Sequence, residues 1–451
     1  MSAPVIVIFG ITGDLSKRKL LPALYHIFSQ RLLPPETKII GISRRPLDII
    51  ELLGSVELCI LEKDNICDPD TIGRLRKAMQ TFQLDPSKSK DFSSLRRHLD
   101  ELDPSDVGDQ RERLYYMSIP SDAYAPIVEQ LGTSGLNDSR SRILLEKPFG
   151  YDTETAQKLV ALIDSHFKED QIYRIDHYLA KETAQNLLTF RLHNPIFSSL
   201  WSAEHIERVE VRANEKISIE GRTDFYEKTG ALRDLVQSHL LQLLAITLMD
   251  LPTDMTSFEI HRTKKYFLEQ LLPADPSQAV RAQYNSYRTE VGNDSSTTET
   301  YTQLHLKHGA ERWQGVDLVL ETGKGLAEKQ TDITIHFKTT HGHSSNNLTF
   351  HIQPNEGITL DLVVKEPGLE NLTRHAALDL DYQKVFQDNQ HIDAYERVLM
   401  DAVRADQSLF SSDSEVLATW RVLQPLLTVW AKNDDNLKFY PLGADPKTIA
   451  K

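Results

Sequence analysis

Two short runs carry the side chains that proton transfer and phosphate recognition require. Arg174-Ile-Asp-His-Tyr-Leu-Ala-Lys-Glu182 and Ala231-Leu-Arg-Asp-Leu-Val-Gln-Ser-His239 together hold two histidines, two aspartates and a lysine. Histidine takes up a proton near neutral pH and paired cations hold an anion, so the mix suits oxidation of a phosphorylated alcohol. If the first run opens a helix, His177 and Lys181 stand four residues apart and share a face, where both grip one phosphate, with Asp176 just outside. Asp234 and His239, five residues apart on a periodic helical stretch, are about 7.5 Å apart along an α-helical axis. A sugar ring fits that span. Set against this, a single histidine on an amphipathic helix is more often an ordinary core or surface residue, and the runs gain meaning only beside a nucleotide loop.

Such a loop opens the chain. Pro4 to Phe9 is a short apolar run ending in Gly10-Ile-Thr-Gly-Asp-Leu15, followed by Ser16-Lys-Arg-Lys19 and the periodic stretch Leu20 to Phe28, which reads as strand, tight turn and helix. Gly10 and Gly13 let the backbone approach a pyrophosphate, and the first N–H groups of the helix favour that anion. Thr12 and Ser16 stand where the full Gly-x-Gly-x-x-Gly fingerprint has glycine, so a plain glycine turn is the competing reading. A second buried strand at Lys38–Ser43 ends in Arg44 and Arg45, at the position where an NAD enzyme carries an acidic residue for the ribose hydroxyl. Two arginines there suit a 2′-phosphate and favour NADP over NAD, with Arg44 the stronger candidate and a solvated charge pair the alternative.

Further strands are expected at 113–119 and 142–145, the latter ending in Glu146-Lys-Pro-Phe-Gly150, with a helix from Asp152 or Thr153 to about Phe167. This alternation builds βαβ units and a parallel sheet whose ligands sit at the carboxyl ends of the strands, which is where Lys147 falls. A cis bond before Pro148 is open. Between Pro46 and Asp109 the pattern is mixed helix and turn, without chemistry.

After about residue 175 the β segments alternate: 206–212, 316–320, 331–337 and 357–363. Alternation gives a sheet with one apolar and one polar face, hence a second, α+β domain with antiparallel or mixed pairing. The expected organisation is an N-terminal Rossmann-like doubly wound parallel sheet over 1–175 and an α+β domain with a large, mainly antiparallel sheet over 176–451. Helices at Asp393 to Arg404 and Asp413 to Leu423 close the chain. Gly323-Lys-Gly-Leu-Ala-Glu-Lys329 reads as a hairpin tip, either an anion or sugar contact or a solvated turn. The histidines at 336, 341, 343 and 351 are read as surface strand residues, not as a metal site.

The chain has 451 residues and a net charge of -14, which disfavours nucleic acid and anionic membrane as partners, since both reward a basic face. The two cysteines, Cys59 and Cys67, lack metal or redox spacing, so a reducing, cytoplasmic compartment is expected and no zinc site. The apolar start is too short for a signal core or a membrane span.

The quoted motifs resemble those of the glucose-6-phosphate dehydrogenase family. The resemblance covers nearly the whole chain: 10–19, 146–150, 174–182, 233–242 and 323–329, extended by Gln-Pro-Asn-Glu at 353–356 and Asp-Ala-Tyr-Glu-Arg at 393–397. It implies oxidation of D-glucose 6-phosphate at C1 to the 6-phosphogluconolactone, the first step of the oxidative pentose phosphate pathway, using NADP and in some members NAD as well. It implies His239 as general base, oriented by Asp176, and His177 with Lys181 on the phosphate. Glu215, Asp234, Lys324 and Lys329 become sugar and phosphate contacts, and Lys19 and Lys147 lie between cofactor and substrate. Gly10, Ile11, Thr12, Gly13, Asp14, Leu15, Ser16, Lys17, Arg44, Tyr116, Lys147 and Pro148 fall in the coenzyme region. A homodimer or dimer of dimers built on the large sheet is implied too. Ala180 stands where the family usually has glycine, Lys329 where eukaryotic members carry arginine, and the C-terminal end is shorter than theirs, which argues against a second, structural NADP site. Two other readings stay open: a dehydrogenase for another hexose phosphate, and a nucleotide-binding regulatory protein of the same fold without catalysis, against which the intact Asp176, His177, Lys181 and His239 count.

Overall fold

The computed structural model describes residues 3–64, 67–103, 111–339, 345–386, 392–432 and 435–450. The chain divides into two compact units, one of Met1–Gly150, Glu154–Ala180 and His391–Asp413, the other of Tyr151–Thr153, Lys181–Gln390 and Ser414–Lys451.

The first unit is built on β1 (Val5–Phe9), β2 (Lys38–Ser43), β3 (Met79–Gln83), β4 (Arg113–Met117), β5 (Ser141–Leu145) and β6 (Ile172–Ile175). The second carries β7 (Ile206–Asn214), β8 (Ala279–Tyr284), β9 (Tyr301–Leu306), β10 (Asp317–Gly323), β11 (Gln330–Phe337), β12 (Asn347–Gln353), β13 (Gly357–Lys365) and β14 (Thr373–Asp381). The short β15 (Phe410–Ser411) returns to the first sheet, and β16 (Leu437–Tyr440) joins the second.

Among the described residues the first sheet runs β15-β6-β5-β4-β1-β2-β3. Strands β1 to β6 are parallel and joined by helical crossovers, with the runs of β1, β2, β4, β5 and β6 buried on both faces and edge strand β3 only partly so. The order reverses between β1 and β4, the switch point at which doubly wound sheets bind nucleotides. The expected division at 175/176 leaves 176–180 and 392–413 with the second domain, whereas both pack with the first sheet. Helix Ala394–Arg404 buries Val398, Leu399 and Val403 in the same core as Ile6, Leu24 and Tyr116, and β15 pairs antiparallel with β6 through Phe410 and Ile175.

The second sheet is nine-stranded among the described residues, in the order β14-β13-β12-β11-β7-β10-β9-β8-β16. It is mainly antiparallel, with β7 parallel to β10 and β8 parallel to β16. Register aligns Val209 and Val211 with Leu318 and Leu320 on one side and with Ile335 and Ile333 on the other, giving an apolar face on which helical segment Leu232–Leu240 packs against β7 and β10. Because β7 lies between β10 and β11, residues 324–329 form a crossover and not the expected hairpin tip. His336 and His351 sit half-buried on β11 and β12, with Glu210 Oε2 3.7 Å from His336 Nε2; His341 and His343 lie outside the described residues. Among the described residues, no helix is long and apolar enough to cross a membrane.

Candidate active site

In the first unit, β1 ends in a turn that only glycine can make. Gly10 has φ +79°, and a Cβ there would lie 2.2 Å from the backbone oxygen of Ser118, just beyond β4. At Gly13 a Cβ would stand 3.2 Å from the Gly10 oxygen, and the Gly13 N–H donates to that oxygen at 2.9 Å. The backbone is thus drawn in at the switch point, leaving a cradle that side chains would fill. Ser16, which departs from the fingerprint, is fully buried, and its hydroxyl bonds the Gly10 carbonyl at 3.0 Å and the Ser118 hydroxyl at 2.8 Å. Its side chain locks the turn and is spent on the protein. Ile11 is fully buried too, so Ile11 and Ser16 can offer a ligand backbone only. Thr12 and Asp14 are exposed at the turn, Leu15 and Lys17 are half-buried, and Lys19 is exposed on the π-helical stretch Ser16–Leu20.

The two arginines expected at a 2′-phosphate stand together at one cavity. Thr12, Ser43, Arg44, Arg45, Pro46 and Leu47 line a cavity of about 660 Å³ at the ends of β1 and β2. Gln83, at the end of β3, donates to the Arg44 carbonyl at 3.2 Å, and the Ser43 hydroxyl bonds the Arg45 carbonyl. The glycine cradle and this exposed arginine pair fit a phosphorylated dinucleotide.

At the end of β5 the Lys147-Pro148 bond is cis, and Lys147 and Pro148 are half-exposed. The neighbouring Glu146 is buried at the centre of a network. Its Oε1 accepts from the Tyr116 hydroxyl at 2.6 Å, its Oε2 lies 3.2 Å from His177 Nε2, and its backbone exchanges hydrogen bonds with the Tyr124 hydroxyl. Burial works to raise the Glu146 carboxyl, but the His177 ring, Tyr116 and Lys147 outweigh it and hold it below its ordinary range. Tyr116 is fully buried. Its hydroxyl is spent on Glu146.

The run 176–181 is not a helix. Asp176, 2% exposed at the end of β6, accepts from the Tyr178 N–H at 2.9 Å. This Asx turn diverts the backbone, and the helix begins only at Glu182, with Lys181 extended before it. The expected helical face shared by His177 and Lys181 is therefore absent. Instead His177 is held by Glu146 and by the Tyr395 ring, 4.1 Å away between centroids. Ala180 is buried with its backbone outside the left-handed region, so alanine replaces glycine there without strain.

In the second unit Lys181 Nζ donates to Gln353 Oε1 at 2.8 Å, and Gln353 is braced by the Thr331 hydroxyl at 2.9 Å. Lys324, 2% exposed, is no solvated turn residue. It pairs with Glu215 and lies 5.4 Å over the Tyr226 ring, while its carbonyl accepts from the Tyr440 hydroxyl. Lys329 is exposed on the same crossover.

Asp234 and His239 are buried on Leu232–Leu240, which is a π-helix. Its hydrogen bonds join residues five apart, so Asp234 and His239 come round to one face, where an α-helix would turn them about 140° apart. The segment starts at Gly230 (φ 60°, ψ -177°), where a Cβ would sit 2.4 Å from Glu299 Oε1. The buried Glu299 accepts from the Leu232 N–H at 2.9 Å and so caps the helix start. Sequence reading overlooked Glu146, Gln353, Gly230 and Glu299. Glu146 and Gln353 lay inside quoted motifs, whereas Glu299 had no local signal.

Comparison with known proteins agrees with this assembly. Residues 7–186 match the model of the glucose-6-phosphate dehydrogenase NAD binding domain, and residues 188–451 that of the glucose-6-phosphate dehydrogenase C-terminal domain. A glucose-6-phosphate 1-dehydrogenase of Chlamydia muridarum is 36% identical, covering 95% of this chain and 90% of its own. One of Mycolicibacterium smegmatis is 35% identical over 97% and 93%. Among solved structures, a glucose-6-phosphate dehydrogenase in complex with its substrate glucose-6-phosphate aligns with TM-score 0.93 and 30% identity, over 100% of this chain and 98% of that one. Motif order, sheet topology and full-length identity converge, and the chain belongs to the glucose-6-phosphate dehydrogenase family.

Proposed function

We propose that this enzyme oxidises D-glucose 6-phosphate at C1 to 6-phospho-D-glucono-1,5-lactone with NADP as hydride acceptor. The observation that carries the reading is the full-length likeness, at TM-score 0.93, to a solved glucose-6-phosphate dehydrogenase holding glucose-6-phosphate. Bound at the Gly10–Gly13 turn, the nicotinamide coenzyme supplies the hydride acceptor.

The chain's own residues do the rest. The C1 hydroxyl must lose its proton as hydride departs, and His239 takes it as general base. We assign to Asp176 the orientation of that imidazole and the stabilisation of its charged form. His177 and Lys181 hold the phosphate as charge-assisted donors. Glu215, Asp234, Lys324 and Lys329 contact sugar and phosphate, and Lys19 and Lys147 stand between substrate and coenzyme. Arg44 takes the 2′-phosphate, which sets the preference for NADP. In this reading residues 1–175 are the coenzyme domain and 176–451 the substrate domain, the latter lending 176–180 and 392–413 to the first compact unit.

A homodimer accompanies the reading, because β13 and the edge strand β14 expose Val364, Leu378 and Leu380 on one face, an apolar surface that a second copy covers. A cytoplasmic location accords with the two free thiols, Cys59 and Cys67. Absorbance at the reduced-nicotinamide band, with glucose 6-phosphate and each coenzyme in turn, tests the activity. The expected result is rapid reduction of NADP, and no reduction of either coenzyme contradicts it.

A further inference from the structure

The π-helical segment carrying His239 is fastened on both sides of that residue to one face of a second helix. Gln237 Nε2 donates to the Thr419 hydroxyl at 2.9 Å, and Gln242 Nε2 to Glu415 Oε2 at 3.2 Å. Thr419 and Glu415 lie one α-turn apart on helix Asp413–Trp430 and so share a face. Gln237 and Gln242 are five residues apart across the end of the π-helical stretch, where the Leu241 N–H reaches back to the Val236 carbonyl. In an α-helix these two glutamines would diverge by about 140° and could not both reach one partner face. The wider turn is what lets both bonds form. Together they fix the segment's rotation about its own axis, and with it the direction of His239 between them.

One of the two anchors, Glu415, is buried and held by several partners. Glu415 and Lys264 are fully buried and paired at 2.9 Å, His261 Nδ1 lies 2.8 Å from Glu415 Oε1, and Lys264 also bonds Gln242 Oε1 at 3.3 Å. Every partner of the Glu415 carboxylate named here is itself held by a helix: Lys264 and His261 by Ser257–Gln270, Gln242 by Leu241–Leu248. A buried ion pair is weak as a source of stability yet well suited to setting a register.

We infer that Glu415 and Thr419 are positioning residues for His239, acting through Gln242 and Gln237 on the rotation of the π-helical segment. The inference rests on the reading of His239 as general base.

The experiment compares purified full-length His239→Asn, Thr419→Val, Thr419→Ser and Glu415→Gln with the unaltered enzyme, measuring kcat and KM for glucose 6-phosphate and NADP together with Tm. A misdirected base costs turnover more than binding. The expected result for Thr419→Val is kcat lower by about three- to tenfold with both KM values within about twofold. Thr419→Ser, which keeps the hydroxyl, restores kcat, and Glu415→Gln lowers kcat about tenfold or more. If Thr419→Val lowers Tm but turns over like Thr419→Ser and the unaltered enzyme, while His239→Asn is inactive, the helix is merely structural and the inference is overturned. If His239→Asn itself turns over normally, the base assignment fails, and the inference with it.

Discussion

His177 Nε2 lies 3.2 Å from Oε2 of Glu146, a carboxylate 31 residues earlier in the chain. The other oxygen of Glu146 is held by Tyr116 and the far side of the imidazole by the Tyr395 ring. The candidate phosphate-binding histidine is therefore fixed by groups on β4, at the end of β5 and at the start of helix Ala394–Arg404, and not by a helix of its own. Replacing Glu146 with Gln removes the charge while keeping the shape, and should raise KM for glucose 6-phosphate about three- to tenfold with a smaller change in kcat. His177→Ala should raise it further. Steady-state kinetics with inorganic phosphate as inhibitor check this, because weakened phosphate binding lowers inhibition in parallel. Unchanged inhibition in both variants would remove His177 from the phosphate site.

Arg44 faces the cavity at the ends of β1 and β2. A charge-assisted contact to phosphate is worth about 1.5–3 kcal/mol, so Arg44→Ala should raise KM for NADP roughly 10- to 100-fold and leave that for NAD nearly unaltered. Equal losses for the two coenzymes contradict a 2′-phosphate role.

Gly230 has a backbone conformation that side chains avoid, beside the carboxylate capping the π-helical segment. Gly230→Ala should destabilise the enzyme by about 1–3 kcal/mol and reduce kcat, since the strain falls at the start of the segment that directs His239. Thermal melts alongside kinetics read both effects. A variant with unaltered Tm and kcat would show that the segment absorbs the methyl group elsewhere.

Burial works to raise the Glu415 carboxyl, but the charges of Lys264 and His261 hold it down, from an ordinary 4.5 to about 2. A depressed carboxylate contributes stability that is present above its unfolded value and lost as pH falls toward its folded one. The contribution is on the order of 3 kcal/mol. The gap in Tm between the unaltered enzyme and Glu415→Gln should therefore be widest above about pH 4.5 and close between there and pH 2. A gap independent of pH in scanning calorimetry argues against a charged Glu415 at the buried site.

Much of the fold was legible because the strands of a doubly wound sheet are buried on both faces. β1, β2, β4 and β5 are plain apolar runs. Edge strand β3, Met-Gln-Thr-Phe-Gln, is only partly buried and carries too little apolar signal to be found. The helix expected over His177–Lys181 failed because the Asp176 side chain competes for the Tyr178 N–H. The hairpin expected at 324–329 failed because parallel pairing of β7 with β10 joins distant residues and leaves no local trace. π-helical winding was equally hidden, since nine residues do not separate a wider turn from the ordinary period. The motifs thus named most of the candidate site, while the groups that hold it, Glu146, Glu299 and Glu415, came into view only with the tertiary contacts.

The most direct test of the whole account is the turnover of His239→Asn with saturating glucose 6-phosphate and NADP. Loss of a general base should lower kcat by about 10²- to 10⁴-fold while KM for the sugar stays within a few-fold. A kcat within tenfold of the unaltered enzyme, in a variant with unaltered Tm, would contradict it.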